Sequence, residues 1–175
     1  MPTPSERFTS LFDRSHAALL AYTVRRVAEP ADAADVVAET FLIAWRRLDQ
    51  VPGGDSERPW LFGVARKVLA NTNRSTRRRY AMAERLRAEL SVNPAPEPPV
   101  PSALGQALSQ LSADDRELLL LLAWDGLSQE QASVALGISA GALRVRLHRA
   151  RGRLRARLAE ADSEPHVLTE GVNHV

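Results

Sequence analysis

The chain has 175 residues, of which 45% are apolar and 25% charged, with no cysteine and a net charge of +2. This length is enough for one medium domain or two small ones, which excludes a large enzyme with a deep composite cleft. The absence of cysteine excludes disulfides, thiolate zinc sites and cysteine nucleophiles. Because no apolar stretch approaches the roughly 20 residues of a bilayer span, and the first residues lack the pattern of a signal peptide, we expect a cytoplasmic protein without membrane insertion.

The first predicted module covers residues 7–90 and is helical. Apolar residues recur at helical spacing in two stretches, and Pro30 suits the first turn of the second helix. We expect each helix to bury one apolar face. These faces comprise Phe8, Leu11, Phe12, Leu19 and Leu20 in the first helix, and Val36, Val37, Phe41, Ala44, Trp45 and Leu48 in the second.

A loop and a basic helix complete this module. The turn-forming residues of 51–58 predict the loop, and Pro59 opens a third helix. This helix continues into residues 66–80, which contain six bases and no acid. That stretch is either a solvated helix end or a nucleic-acid surface on which nearby aromatic side chains stack against unpaired bases. Trp60 is the first of these aromatics, although a tryptophan here is more often a core residue.

Residues 91–103 form the most evident boundary in the sequence. Five prolines fall within eight of these residues and forbid a regular helix or a central strand. At about 3.1 Å per residue, an extended spacer of this length reaches roughly 40 Å. We therefore predict an all-α protein of two small helical domains joined by a flexible proline-rich linker, with a disordered acidic tail at 161–175.

The second module, residues 104–160, is also predicted to be helical. Three leucines at its start indicate a short helix, and capping residues then divide the remaining sequence into three further helices. These capping and stop signals are Ser112 with Asp115, Asp125 with Gly126, Ser128 with Gln131, and finally Gly137 and Ser139.

The strongest local signal is a helix, a tight turn and a second helix over residues 128–157. Gly137 supplies the left-handed backbone of the turn, and the small Ala132 and Ser133 let the helices approach closely. In helix-turn-helix proteins the second helix enters the major groove with its N-terminal part. Residues 139–158 carry seven arginines and no acid, as expected for a surface that meets DNA.

The position of a residue along this last helix predicts whether it contacts base edges or the phosphate backbone of DNA. Side chains near its start and away from the apolar stripe predict base-edge contacts, whereas later arginines predict phosphate contacts or solvated surface. A bundle helix with a solvated arginine face is the alternative, which the single sign of charge disfavours. The base-edge candidates are Arg144, Val145, His148 and Arg149, and the later arginines are Arg151, Arg153, Arg155 and Arg157.

Two carboxylates on the second helix, Asp35 and Glu39, lie four residues apart, with Thr40 beside them. Such a pair repels mildly on an isolated helix, and a partner carrying arginine would relieve that repulsion. The helix dipole is the alternative explanation for acids near a helix start, and it accounts for Asp35 better than for Glu39.

Signals for catalysis are weak in this sequence. The four histidines lack the spacing of metal ligands, and neither a phosphate-binding loop nor a nucleophile motif occurs. We therefore expect a protein that is not an enzyme and uses no cofactor or metal of its own.

The order of these parts resembles the extracytoplasmic-function (ECF) sigma factors, the compact sigma subunits of bacterial RNA polymerase. Region 2.2 of that family is similar to DAADVVAETFLIAWR (32–46), and the start of region 2.4 to PWLFGVARK (59–67). Region 4.2 is similar to DGLSQEQASVALGIS (125–139) followed by RVRLHRAR (144–151). With their helical context, these stretches extend the resemblance over residues 7–158.

The resemblance implies a promoter-recognition factor and assigns its partners. Core RNA polymerase would bind through the β′ clamp coiled coil and the β flap, promoter DNA would be the ligand, and an anti-sigma protein is a further expected partner. The linker would thread through polymerase between the two modules. The implied polymerase-binding residues are Asp35, Glu39 and Thr40.

The resemblance also assigns two DNA-binding sets. The helix from Ser139 matches the −35 reader of the family, while the loop 49–58 and the helix 59–80 match the part that reads the −10 element and holds the opened non-template strand. The implied −35 residues are Ser139, Arg144, Val145, His148, Arg149 and Arg151, and the implied −10 residues are Trp60, Arg66, Lys67, Asn71, Arg74 and Arg77.

Two other functions are open at this point. A free-standing helix-turn-helix regulator would bind operator duplex without polymerase and would usually dimerise, although no long heptad or ligand domain is evident. An antagonist that mimics a sigma surface would need no basic recognition helix.

Overall fold

The computed structural model describes residues 2–72 and 102–163, and every regular element among them is helical. The all-helical prediction is therefore confirmed for these residues, while most of the predicted linker and tail lies outside them. The first module contains α1 (Pro4–Val24), α2 (Pro30–Arg46) and α3 (residues 57–72), with 3₁₀ turns at Leu48–Gln50 and Gly54–Ser56. The second contains α4 (Ala103–Ser109), α5 (Ala113–Ala123), α6 (Gln129–Leu136) and α7 (Ala140–Ser163).

The helices begin at the capping residues that the sequence indicated. Pro30 occupies the first turn of α2, where its missing N–H costs nothing. Ser112 caps α5, because its side chain accepts the Asp115 N–H at 3.1 Å. Ser128 and Gln131 form a reciprocal capping box at the start of α6. Local polar groups thus set these helix boundaries before any tertiary contact is considered.

The apolar faces of α1 and α2 pack against each other, but three residues predicted to be buried are not. Each of the three directly follows a buried residue of the same helix, namely Leu11, Leu19 or Ala44. Because consecutive residues of a helix point about 100° apart, only one of each neighbouring pair reaches the core. The wrongly assigned residues are Phe12, Leu20 and Trp45, with exposed fractions of 37%, 36% and 46%.

The two modules pack against each other and share one continuous apolar core. Within the first module, Phe62 of α3 stacks on Tyr22 of α1 with ring centroids 4.6 Å apart. Leu118 and Leu121 of α5, in the second module, belong to the same cluster of buried residues. At Gly63 the backbone of α3 approaches α6 so closely that a Cβ on that residue would lie 3.0 Å from the carbonyl oxygen of Ala135. A side chain at this position would therefore require the backbone of α6 to move away by at least a few tenths of an ångström.

Arginines at the end of α1 pair with acids of the second module across this interface. Glu117 accepts hydrogen bonds from the Tyr22 hydroxyl at 2.6 Å and from Arg26 Nε at 2.8 Å. Asp125, whose side chain is almost wholly buried, accepts from Arg25 and, at 2.7 Å, from Arg26. We call these five residues the interdomain cluster.

The shared core gives a direct prediction of stability. Leu143 of α7 is fully buried, so Leu143→Ala removes buried methyl groups and leaves a cavity, and we expect a loss of about 2–5 kcal/mol in the free energy of unfolding. Urea denaturation followed by circular dichroism measures this loss. Leu104→Ala, at a site 41% exposed, is the control and is expected to change stability by less than about 1 kcal/mol. Equal effects of the two substitutions would contradict the assignment of the core.

Candidate DNA-binding and polymerase-binding surfaces

The turn between α6 and α7 has helix-turn-helix geometry, as predicted. Gly137 adopts the left-handed conformation, with φ 66° and ψ 35°, and ends α6. The N–H of Ile138 then donates to the carbonyl oxygen of Ser133 at 3.1 Å, which closes the turn. The Ser139 hydroxyl accepts the Ala142 N–H at 3.1 Å and so caps the start of α7. The second helix of the motif is thereby held at a fixed angle to the first.

One face of α7 is anchored in the core, which fixes the direction of the opposite face. Leu143, Leu147 and Ala150 are buried, and α7 contacts α4, α5 and α6. Leu154 and Leu158 continue the same stripe but are only half-buried. The predicted apolar face is therefore confirmed over its first two turns and becomes partly solvent-exposed beyond them.

The predicted −35 residues all lie on the exposed side of α7 or at its start. Val145 is 52% exposed, although a valine gains nothing from contact with water. Arg144 and Arg149 form no ion pair with the described residues, so their guanidinium groups are available to a ligand. The exposed members of the set are Ser139, Arg144, Val145, His148, Arg149 and Arg151.

Two of the later arginines of α7 have partners within the module. Arg153 pairs with the buried carboxylate of Asp115 on α5, and Arg157 pairs with Glu160 at 3.0 Å one helical turn further on. The Asp115 pair ties α7 to α5, which gives Arg153 a structural role that the sequence did not indicate. The unpaired positive charge of α7 is thus concentrated toward its N-terminal half.

The described part of the predicted −10 set divides between two faces of α3. Lys67 and Asn71 are exposed on the outer surface, one helical turn apart. Trp60 is half-buried and packs against the shared core, which agrees with the more common role of such a tryptophan. The remaining two members, Arg74 and Arg77, lie outside the described residues.

Arg66 points toward the second module. Its Nη2 lies 3.5 Å from the carbonyl oxygen of Leu136 at the end of α6, a long hydrogen bond. Its Nε is buried and has no acceptor among the described residues. Arg66 is therefore separated from Lys67 and Asn71 in this arrangement, although the sequence placed all three in one set.

The predicted polymerase-binding set on α2 is only partly on the surface. Asp35 and Glu39 are exposed, one helical turn apart. Thr40 is fully buried, and its hydroxyl donates to the carbonyl oxygen of Val36 at 2.7 Å. The assignment of Thr40 to a partner contact is wrong for this structure, because a side chain with no exposed surface cannot meet another protein. Its hydroxyl is satisfied within the helix instead.

The sequence interpretation missed two apolar residues on this surface of α2. Leu42 is 41% exposed and Trp45 is 46% exposed, although both are large apolar side chains. Leu42 lies three residues after Glu39, so it belongs to the same helix face as the acidic pair. Exposed large apolar residues beside charges are typical of protein-binding surfaces. The sequence did contain a signal for these exposed residues, because α2 has more apolar residues than one helix face can bury.

Neither a metal site nor a membrane span occurs in residues 2–72 and 102–163. No three histidine or acidic side chains gather there in a way that would hold a metal ion. None of the helices in the same ranges is long and apolar enough to cross a bilayer.

Comparison with known proteins identifies both modules. Residues 11–79 match the family described as Sigma-70 region 2, and residues 102–154 match Sigma-70, region 4. The chain is 35% identical over 159 residues to the ECF RNA polymerase sigma factor SigL of Mycobacterium tuberculosis. The aligned segment covers 86% of this chain and 88% of the relative. It is also 35% identical over 164 residues to the RNA polymerase sigma factor CnrH of Cupriavidus metallidurans, covering 85% of each protein.

Solved structures of sigma factors share the fold. The sigma factor RpoE of Bartonella quintana, in complex with the anti-sigma factor NepR, matches with a TM-score of 0.61 and 26% identity over 87% of this chain and 96% of that one. CnrH in complex with the cytosolic domain of CnrY matches with a TM-score of 0.60 and 28% identity over 89% of each chain.

A helical protein that joins sigma-70 region 2 to a region 4 helix-turn-helix is a sigma subunit of bacterial RNA polymerase, which recognises promoters and directs the initiation of transcription. Within that class, the similarity to relatives over most of their length places this chain in the family of ECF sigma factors. Its partners are accordingly core RNA polymerase and promoter DNA. The resemblance seen in the sequence is confirmed.

Proposed function

We propose that α7 reads the −35 element in the major groove and that α3 with the preceding loop reads the −10 element. The observation that carries this proposal is the surface of α7, where unpaired arginines surround an exposed valine near a capped helix start. Such a surface offers guanidinium groups to guanine edges and phosphates and a methyl surface to thymine. The exposed Lys67 and Asn71 of α3 would contact the opened non-template strand.

We propose that α2 docks on the β′ clamp coiled coil through its exposed face, and that the second module contacts the β flap. The face combines Asp35 and Glu39 with the exposed apolar side chains of Leu42 and Trp45. Charges give such a contact its orientation and speed of association, while the apolar residues give it affinity. Mutual repulsion of the two carboxylates would be relieved by basic residues of the partner.

The modules proposed at residues 7–90 and 104–160 would each bind promoter DNA weakly, since each offers a small interface. Core polymerase fixes the distance between them, and the second contact then becomes effectively intramolecular. Promoter melting would follow from the capture of unpaired bases, so the chain would need neither hydrolysis nor a cofactor and would not be an enzyme itself. We expect it to act in the cytoplasm, where polymerase and DNA are found.

An anti-sigma protein is proposed as a further partner. Two of the similar solved structures are complexes of a sigma factor with an anti-sigma factor or with the cytosolic domain of a second protein. An inhibitor that covered α2 would block docking on polymerase, and the exposed apolar side chains of that helix suit such a contact.

Run-off transcription with purified chain, core polymerase and a pool of templates with randomised −35 and −10 segments tests the proposal. We expect the transcribed templates to share sequence at both segments, because two modules read two elements. Association with core polymerase, measured by co-elution, is expected as well. A chain that fails to bind core and instead protects duplex DNA by itself would favour the operator-binding regulator.

A further inference from the structure

A small cavity lies between the end of α1, the C-terminal half of α3 and one side of α5. Its volume is about 350 Å³, which is at the lower end of the range for sites that hold small molecules. The side chains around it are rich in positive charge, because arginines reach it from all three parts of the fold. These arginines are Arg25 and Arg26, directly after α1, Arg66 of α3 and Arg116 of α5.

The positive charge around this cavity is not fully neutralised. The two arginines that follow α1 pair with the acids of the interdomain cluster. Arg116 donates only to backbone carbonyl oxygens at the end of α4 and just after it. Arg66 likewise has no carboxylate partner among the described residues. Apart from the cluster, the acid that these residues bring to the cavity is Asp114, which is exposed, so two guanidinium groups face one solvated carboxylate.

Arg66 is the least satisfied of these arginines. Its only hydrogen bond to the described residues is the long one to the carbonyl oxygen of Leu136, at 3.5 Å. Its Nε is buried and has no acceptor among the same residues. A buried donor without an acceptor is costly, and a guanidinium is bound best by an anion that presents two oxygens to its fork. Phosphate is such an anion, and arginine is the side chain most suited to it.

The protonation of the neighbouring groups also favours an anion. Burial raises the pKa of the Tyr22 hydroxyl far above its ordinary value, and the nearby Glu117 adds to this rise. Burial opposes the charge of Arg26, but Glu117 and Tyr22 outweigh that effect and raise its pKa. At neutral pH the phenol on the cavity wall therefore adds no negative charge, while the guanidinium stays positive.

The rest of the cavity wall is apolar. It is lined by Leu69 and Ala70 of α3 and by Ala113 and Leu120 of α5. An inorganic phosphate would need only the arginines, whereas the ring of a nucleotide would rest on this apolar wall. Both ligands share the phosphate group, which is the part that the arginines recognise.

We propose that this cavity binds a small phosphate-bearing anion, either inorganic phosphate or a mononucleotide, with Arg66 and Arg116 as its principal ligands. Arg66 would donate from Nε and one Nη to two oxygens of the phosphate. This gives Arg66 a role other than the contact with the non-template strand that the sequence implied. The site lies apart from the surfaces proposed on α2 and α7, so the inference does not depend on them.

Equilibrium dialysis of the full chain against radiolabelled phosphate tests the proposal. We expect saturable binding of one phosphate per chain, and binding at least about tenfold weaker for Arg66→Gln, which removes a charged bidentate contact. Arg47→Gln, at an exposed arginine after α2, removes the same charge outside the cavity and is expected to bind as the wild type does. A change in thermal stability alone would not suffice, because phosphate stabilises many proteins by exclusion from their surface.

Ala70→Glu tests the site without removing any of its arginines. Ala70 is exposed and lies one helical turn after Arg66, so a glutamate there would reach the guanidinium and take the place of the phosphate. We expect phosphate binding at least about tenfold weaker, with unchanged helix content by circular dichroism. Ala21→Glu, the same substitution at an exposed site of α1, is expected to leave binding unchanged. This pair decides the outcome should Arg66→Gln lose helix content.

Competition distinguishes the two sources of phosphate. Adenosine monophosphate that displaces the label at lower concentration than unlabelled phosphate would identify a nucleotide site, and the opposite order would identify an inorganic phosphate site. Binding that does not saturate overturns the proposal. It is also overturned if Arg66→Gln and Ala70→Glu bind phosphate as tightly as their controls.

Discussion

Arg144→Glu is expected to lower transcription from a cognate promoter by about 100-fold or more. A bidentate contact of arginine with a base is worth about 1–3 kcal/mol, and each 1.4 kcal/mol is a factor of ten in binding. The substitution also puts a negative charge against phosphates, which adds repulsion to the lost contact. Arg144 is exposed and forms no ion pair with the described residues, so the fold is expected to survive. Run-off transcription with core polymerase measures the effect.

Arg157→Glu is the matched control, because it makes the same change of charge on the same helix. Arg157 lies beyond the proposed reading surface and already pairs with Glu160. We expect a loss of less than about fivefold, mostly through weaker long-range attraction to DNA. Arg144→Ala should in addition relax the preference at one position of the −35 element. Equal losses from the two charge reversals would show that α7 acts only as a diffuse positive charge.

Local chemistry made much of this fold predictable. Ser128, Gln131, Gly137 and Ser139 are polar or small residues whose effect on the backbone depends only on near neighbours, and the structure places each where the sequence put it. The class of fold and the helix-turn-helix followed from them. The unbroken positive charge after this turn then made α7 the candidate reading helix.

Burial was less predictable because it depends on which neighbours a helix finds. The apolar residues of α2 exceed what one face can bury, and the pattern alone could not show that Ala44 faces the core while Trp45 does not. Thr40 shows the same limit for a polar residue. Its position beside two surface acids suggested an exposed hydroxyl, but the helix turns it inward, where it bonds to Val36.

The interface between the modules was the largest feature absent from the sequence interpretation. Its partners lie about 100 positions apart, as with Arg25 and Asp125, and no local pattern links them. Residues 104–138 carry five acids and one base, but the local sequence does not show which of these acids meets a partner. In the structure, Glu117 and Asp125 hold the arginines at the end of α1.

Reversal of the acidic pair on α2, by Asp35→Arg together with Glu39→Arg, is expected to weaken binding to core polymerase by about 100-fold or more and to abolish initiation at limiting core. Both residues are exposed, so the fold should tolerate the change, whereas like charges facing each other across an interface cost several kcal/mol. Asp13→Arg with Asp49→Arg makes the same change of charge at exposed sites elsewhere on the module and is expected to leave affinity within about threefold. Fluorescence anisotropy of the labelled chain, titrated with core, measures both.

Thr40→Val separates the surface of α2 from its buried side. If the helix docks as proposed, the loss of a hydroxyl that only bonds to Val36 should leave the affinity for core within about twofold and change the free energy of unfolding by about 1 kcal/mol or less. Trp45→Ala, at the exposed edge of the same helix, is expected instead to weaken binding to core by at least about tenfold, because a large aromatic side chain is a typical anchor of an interface. Its ring also packs edge-on against Phe8 of α1, with centroids 5.1 Å apart, so we expect a loss of about 1 kcal/mol in the free energy of unfolding as well. A Thr40 variant that lost core affinity while Trp45→Ala kept it would place the contact on the other face of α2. The structure argues against that result, since this other face is already occupied by the apolar contacts that join α2 to α1.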